Sequence, residues 1–149
     1  MKVTIDINNE AGAPISGIFI RGAVKKTIQK VGLVFPKNKK INISLAFLDA
    51  VKIKKINKAY RRKNVSTDIL SFANYPSEKE ILKDKKNCIF LGELLISYEY
   101  VRKSAKVNKV AARKELAYVV SHGVLHLLGM RHSRRMFVLQ DEVARGIYN

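Results

Sequence analysis

The sequence predicts one α+β domain over residues 1–149, in which a mixed sheet of four strands is packed with helices, mainly on one side. Two observations predict this class. Four segments with the apolar pattern of strands are interleaved with segments in which apolar residues recur at helical spacing. A chain of 149 residues with 47% apolar residues is also long enough to bury one core, and it contains no repeat, linker or low-complexity tract.

Four segments are predicted as strands. In residues 2–8 the apolar side chains alternate with polar ones, which is the period of a half-buried strand. Three more apolar segments follow at 41–48, 69–75 and 89–97. The patterns do not predict the order of these strands in the sheet.

Helices are predicted between the strands and after the last one. Ser16 is placed to cap a helix over Gly17–Val31, which Gly32 can end. Further helices are predicted at 50–60, 98–107, 108–128 and 134–148. The first of these four is basic, and the third, which is apolar on one wide face, is predicted as the central buried helix. The polar, lysine-rich segment 76–87 is predicted as a surface loop.

The charge balance is the first indication of function. Lysine and arginine number 29 against 12 acidic residues, which gives a net charge of +17. A basic surface has sequence-independent affinity for nucleic acid, because neutralising phosphates releases counterions. The alternative is a lysine-rich surface that is only solvated, as in some thermophile proteins. Charge by itself does not decide between the two.

Composition also excludes several classes of protein. Cys88 is the only cysteine, so neither an intramolecular disulfide nor a cysteine-ligated metal cluster can form. The first residues alternate like a strand and lack the apolar run of a signal peptide, and no apolar run approaches membrane-spanning length. We therefore expect a soluble cytoplasmic protein that acts away from membranes. The sequence does not determine the oligomeric state, and a monomer is the default expectation.

All three histidines fall within one stretch of eleven residues, from His122 to His132. Residues four apart on a helix lie one above the other, so His122 and His126 can direct both imidazoles at one point. If the helix continued, His132 would be turned roughly 120° away from them. The helix therefore has to end, and Gly129 can end it, because glycine adopts the left-handed conformation at little cost.

This arrangement predicts a metal site with an open position. Three imidazole ligands plus water is the arrangement of catalytic zinc, whereas structural zinc sites usually close the fourth position with protein. The alternative for a single histidine on an apolar helix face is a core residue hydrogen-bonded to the backbone. Three histidines together with a helix-ending glycine favour the metal. Imidazoles also suit nickel, copper and iron, so the ion is not fixed by its ligands.

The histidine spacing is also that of metzincin proteases, which carry a glutamate directly after the first histidine as general base. Here that position is Gly123, which cannot take a proton. A metal-dependent peptidase or other hydrolase therefore remains an alternative, but it lacks its base at the expected place. An RNA substrate depends less on such a base, because it carries its own 2′-OH nucleophile.

Three motifs resemble those of one bacterial family. They are HGVLHLLGMRH at 122–132, similar to HGxLHLxGYDH; YRRKNVSTDILSF at 60–72, similar to YRxKxxPTDVLSF; and LGELLIS at 91–97, similar to LGDIVIS. On these motifs, which occur in the family's order, the chain resembles the YbeY family of metal-dependent endoribonucleases over nearly its whole length.

The resemblance implies a single α+β domain with a zincin-like site, in which His122, His126 and His132 hold one Zn²⁺. It also implies cleavage of single-stranded RNA at the 3′ end of the small-subunit ribosomal RNA, with the small ribosomal subunit as partner. Two departures concern the site. Met130-Arg131 replaces the family's Tyr-Asp, and Ser66-Thr67 replaces its Pro-Thr. An aspartate before the third histidine could orient a ligand, whereas an arginine there could hold a phosphate.

The resemblance assigns the family's functional arginine to Arg61, at the end of the basic helix. An arginine there can bind a phosphate bidentately, so we predict that Arg61 and His122 are catalytic, His122 by joining in proton transfer. Two carboxylates have open roles. Asp68 could orient Arg61 or cap its own turn, and Glu115 could support a metal ligand or pair with a basic side chain. A non-catalytic ribosome assembly factor with a structural metal is the second alternative.

Overall fold

A computed structural model describes residues 1–148, in which one four-stranded sheet is packed with six helices. The strands are β1 (Lys2–Asn9), β2 (Lys40–Phe47), β3 (Ile69–Ala73) and β4 (Cys88–Ile96). The helices are α1 (Gly17–Val31), α2 (Ala50–Arg61), α3 (Glu78–Lys83), α4 (Tyr98–Val107), α5 (Ala112–Leu127) and α6 (Arg134–Tyr148). The predicted single α+β domain is confirmed for the described residues.

The sheet is mixed, as predicted, and its order is β1-β2-β4-β3. The pairs β1–β2 and β2–β4 are parallel, because α1 and the segment containing α2, β3 and α3 connect their strands as crossovers. β3 is antiparallel to β4 and has no other strand beside it in the described part of the chain. One end of the sheet is therefore an open strand edge.

Most of the core lies on one face of the sheet. There, apolar side chains of β2 and β4 pack with residues of α1, α4, α5 and α6, and most of them are fully buried. The other face carries a smaller cluster, in which Ile53 and Ile56 of α2 cover Leu70 and Leu95. Each fully buried Ile or Leu contributes roughly 1.5–3 kcal/mol relative to exposure. The helices α1, α4, α5 and α6 therefore lie on one side of the sheet, and α2 covers the other, as the prediction of helices mainly on one side requires.

Two predictions of secondary structure were wrong: the loop at 76–87 and the start of the central helix. The segment 76–87 contains the short helix α3, in which the Ser77 hydroxyl accepts a hydrogen bond from Glu80 N and Ile81 is fully buried. The capping hydroxyl and the anchoring isoleucine stabilise a turn that propensity does not predict. The central helix begins at Ala112 rather than at 108, because Asn108 ends α4 and Lys109 has a positive φ of 54°.

Among residues 1–148, none of the helices combines the length and the apolar character that crossing a lipid bilayer requires.

Candidate metal centre

Helix α5 and the turn after it bring the three histidines together. His122 and His126 lie one turn apart on α5, with their Nε2 atoms 3.0 Å apart. The chain then reverses, and the His132 ring lies 4.7 Å from the His126 ring and 5.1 Å from the His122 ring, measured between centroids. One nitrogen of each ring lies within 4.8 Å of the other two. The predicted convergence is therefore present.

Gly129 makes the reversal possible in two ways. Its φ is +85°, in the left-handed region where a side chain is strained. A Cβ atom at Gly129 would also lie 2.7 Å from the Cα of Ser77 and 2.9 Å from the backbone nitrogen of Glu78. The turn is thus packed against the start of α3, and only glycine fits there without moving it.

The backbone fixes the tautomer of His126. Its Nδ1 lies 3.0 Å from the carbonyl oxygen of Met130, which can only accept, so Nδ1 carries the proton. The lone pair of His126 is then on Nε2, which faces His122. A carbonyl that holds the second nitrogen of a histidine is the usual support of a metal ligand.

Burial keeps two of the imidazoles neutral. It lowers the pKa of His122 below its ordinary value of 6.5, although the nearby amide of Gln140 acts in the opposite direction. Burial also lowers the pKa of His126, and the neighbouring His122 and Arg61 contribute in the same direction. His132 is exposed, and its ring stacks on Phe137 with centroids 6.5 Å apart. At neutral pH these two partly buried rings are therefore in the neutral form that binds metals.

The donor set fits a zinc-type ion. Two nitrogens that are each about 2.0–2.1 Å from a tetrahedral zinc lie roughly 3.3 Å apart, close to the 3.0 Å between His122 and His126. Within the described residues, no cysteine or carboxylate joins the three histidines. Cys88 is exposed at the start of β4. Three nitrogen donors without a fourth protein ligand leave a position for a substrate or water.

The histidines line a cleft of about 820 Å³ at the open edge of β3, between α2, α5 and α6. Arg61 lines it from the end of α2. The Nη2 atom of Arg61 donates to the carbonyl oxygen of Ser71 at 2.6 Å, and its guanidinium lies 5.5 Å from the centre of the Phe72 ring. Arg61 is exposed, so its other donors are open to a ligand in the cleft.

The structure decides the roles of the carboxylates of Asp68 and Glu115. Asp68 also lines the cleft, but its Oδ1 accepts from the backbone of Ile69 at 2.7 Å, so it caps its own turn and does not hold Arg61. Glu115 lies away from the histidines at the start of α5, where Asn108 donates to its carboxylate at 3.4 Å. Asp68 therefore caps its own turn rather than orienting Arg61. Glu115 neither supports a metal ligand nor pairs with a basic side chain among the described residues.

Gly123 has a packing role. A Cβ atom there would lie 2.5 Å from Cδ1 of Ile69 and 2.8 Å from Cδ2 of Leu94, so α5 approaches the sheet closely at this point. Position 123 therefore faces the sheet and the apolar core. The glutamate that a metzincin protease carries here has no room in this fold.

The cleft is also lined by side chains that no sequence motif identifies, among them Tyr118 of α5 and Phe137 and Gln140 of α6. The sequence holds one signal for Gln140. It lies on the buried face of α6, four residues after Met136 and three before Val143, where a polar residue is out of place.

The fold and the site define a class: an α+β domain whose central helix and following turn gather three histidines, a set able to hold a metal ion, in a cleft that Arg61 and Lys63 also line. A model of the endoribonuclease YbeY family matches residues 6–147. The chain belongs to this family, and the resemblance predicted from its three motifs is confirmed.

Similar proteins cover most of the chain. Endoribonuclease YbeY of Persephonella marina is 34% identical over 148 residues, which are 95% of this chain and 90% of that protein. Endoribonuclease YbeY of Borreliella afzelii is 39% identical over 109 residues, or 69% of this chain and 71% of that protein. A solution structure from Thermotoga maritima has the same fold, with a TM-score of 0.62 and 24% identity over 97% of this chain and 89% of that one.

Proposed function

We propose that this chain is a metal-dependent endoribonuclease that cuts single-stranded RNA in ribosomal RNA maturation, at the 3′ end of the small-subunit RNA. The observation that carries the proposal is the convergence of three imidazole nitrogens within 4.8 Å, in a cleft that Arg61 also lines. Membership of the endoribonuclease YbeY family supports it. The small ribosomal subunit is the proposed partner, and the protein acts in the cytoplasm as a monomer.

In this proposal His122, His126 and His132 hold one Zn²⁺ per chain. When bound, such an ion supplies a Lewis acid and lowers the pKa of a water molecule. Arg61 binds the phosphate and stabilises the charge that develops on it, because a guanidinium offers several donors in one plane. Its anchor on Ser71 keeps those donors at the cleft. His122 takes part in proton transfer when the metal occupies the site only partly.

The charge of the chain supports an RNA substrate. The net charge is +17, and the exposed side of α2, which ends at Arg61, carries Lys54, Lys55 and Lys58. A row of cations that leads to the cleft can hold the phosphates on either side of the bond that is cut. Such contacts give affinity without sequence preference, so choice of the cleavage site comes from unpaired RNA entering the cleft.

Removing the metal tests the proposal. We expect the purified protein to bind about one equivalent of zinc and to cut an unpaired RNA oligonucleotide. Cleavage should stop when a chelator removes the ion and return when zinc is added back, because three neutral histidines form the proposed ligand set. The same oligonucleotide annealed to its complement is the control and should be cut far more slowly. Cleavage that a chelator leaves unchanged would contradict the proposal, as would a protein that takes up no metal.

Replacing Arg61 tests the phosphate site. Arg61→Ala should lower the cleavage rate by about 10- to 100-fold, since a charge-assisted bidentate contact contributes roughly 1.5–3 kcal/mol. Zinc binding and the unfolding midpoint should remain near those of the wild type, because the side chain is exposed. Arg102→Ala is the matched control, since Arg102 is exposed on α4 and does not line the cleft. Equal cleavage rates for the wild type and Arg61→Ala would remove Arg61 from the mechanism.

A further inference from the structure

Gln140 is a buried polar side chain with unmet hydrogen-bonding capacity. It lies on α6, its exposed fraction is 0%, and neither its Oε1 nor its Nε2 has a hydrogen-bond partner. A primary amide offers two donors and two acceptor sites, and burying all of them unpaired is costly. Met136, Val143 and Ala144 beside it on the helix face are all apolar and buried. The unpaired amide of Gln140 in these apolar surroundings therefore calls for a functional explanation.

His122 lacks the support that His126 has. The second nitrogen of His126 is held by the carbonyl oxygen of Met130. The Nε2 atom of His122 faces the Nε2 atom of His126, so Nε2 is the atom available to a shared ion. No group in the described part of the chain makes a hydrogen bond of normal geometry to Nδ1 of His122. Yet a ligand histidine usually donates from its second nitrogen to an acceptor that fixes its tautomer and orientation.

Gln140 is placed to be that acceptor. It lines the same cleft as His122, and its helix α6 packs directly against the helix α5 that carries His122. Asp68 also lines the cleft, but its Oδ1 already accepts hydrogen bonds from Ile69 N and from the hydroxyl of Thr67, and it makes no hydrogen bond to His122. The amide of Gln140 lacks a hydrogen-bond donor, and Nδ1 of His122 lacks an acceptor. A hydrogen bond between the two would satisfy both groups.

We propose that Gln140 is a positioning residue for the metal: its Oε1 accepts a hydrogen bond from Nδ1–H of His122 and so keeps the lone pair of Nε2 directed at the ion. This inference rests on the proposed metal site. It gives the three-histidine cluster a support from α6, an element that lies outside the histidine motif. It also assigns a role to the one polar residue among the buried ones at the centre of α6.

Two substitutions at position 140 and one control elsewhere test the inference. Gln140→Met removes both polar atoms at nearly constant volume, so zinc affinity, measured by competition with a coloured chelator, should fall about 10- to 100-fold. Gln140→Glu keeps an acceptor and should bind zinc within a few-fold of the wild type or more tightly. Thr27→Val removes a buried hydroxyl of α1 that bonds only to Ala23 and does not line the cleft, and it should leave the affinity unchanged.

A second measurement separates positioning from packing. In the zinc-loaded wild type with labelled histidine, nitrogen NMR should show His122 protonated on Nδ1, with that proton close to the Gln140 side chain and protected from exchange. Gln140→Met should lose this protection, while the unfolding midpoint of its metal-free form stays equal to that of the wild type or rises, because an unpaired amide has gone.

The outcomes distinguish this inference from the proposed function. If the wild type binds zinc and Gln140→Met binds it equally tightly, the positioning role is wrong and the metal site stands. If His122 of the zinc-loaded wild type shows no proton on Nδ1 near Gln140, the role is also wrong, whether or not the variant folds. If the wild type binds no zinc, the metal site and the role fall together.

Discussion

Replacing His126 with alanine is expected to abolish both zinc binding and RNA cleavage. His126 is central in the cluster, since its ring centroid lies 4.5 Å from that of His122 and 4.7 Å from that of His132. Its removal leaves two ligands that no carboxylate or cysteine in the described residues can supplement. The loss of affinity should exceed the roughly 10- to 100-fold that changes in supporting residues cost. Metal content after dialysis and the cleavage rate of unpaired RNA measure the effect.

Lys54→Ala is the control for this experiment, because Lys54 is exposed on the basic side of α2. His126→Ala should lose cleavage but keep its association with the small ribosomal subunit. Lys54→Ala should weaken association slightly and keep the wild-type cleavage rate once the RNA is saturating, because Lys54 contributes to binding and not to the chemical step. A non-catalytic assembly factor with a structural metal would give another result. In that case the residual cutting activity of the preparation would be the same in His126→Ala and the wild type.

Introducing the metzincin glutamate, as Gly123→Glu, is expected to unfold the protein rather than to create a peptidase. Its Cβ alone would overlap side chains of Ile69 and Leu94. Overpacking a core costs about 1–3 kcal/mol, and an unpaired buried carboxylate adds several more. The sum is comparable to the whole stability of a typical domain, about 5–15 kcal/mol. Thermal and urea unfolding followed by circular dichroism measure it.

Gly22→Glu is the matched control, because Gly22 is an exposed glycine within α1 and a Cβ atom there meets nothing within 4 Å. It should be neutral or stabilising by up to about 1 kcal/mol, since glycine is a poor helix former. A folded Gly123→Glu protein that cleaves peptides would contradict the close packing of α5 on the sheet. It would also support the alternative of a metal-dependent peptidase.

Features that depend on nearby residues could be predicted from the sequence. The helix α1 begins where Ser16 accepts a hydrogen bond from Phe19 N, and it is followed by Gly32 in the left-handed conformation, both as expected. The three histidines were also predictable, because their ligand spacing and the glycine that ends the helix lie in one stretch of sequence. Local hydrogen bonding and helical geometry decide each of these.

Features that depend on distant contacts could not be predicted. The order β1-β2-β4-β3 follows from which strands pair across long connections. The helix α3 has one fully buried anchor, Ile81, and six residues are too few to show a helical period. Gln140 reaches the site from α6 only because α6 packs against α5, and the bond from Arg61 to Ser71 joins two elements that no local pattern relates.

The arginine that we assign to phosphate binding has a second consequence. An unprotected outer strand is a template on which another molecule can pair, and it invites aggregation. β3 is such a strand, and Arg61 satisfies the carbonyl oxygen of Ser71 at its free side with a side chain that also brings positive charge. The same guanidinium therefore occupies a hydrogen-bonding position that a pairing strand would need, and we expect it to oppose such pairing at the rim of the cleft.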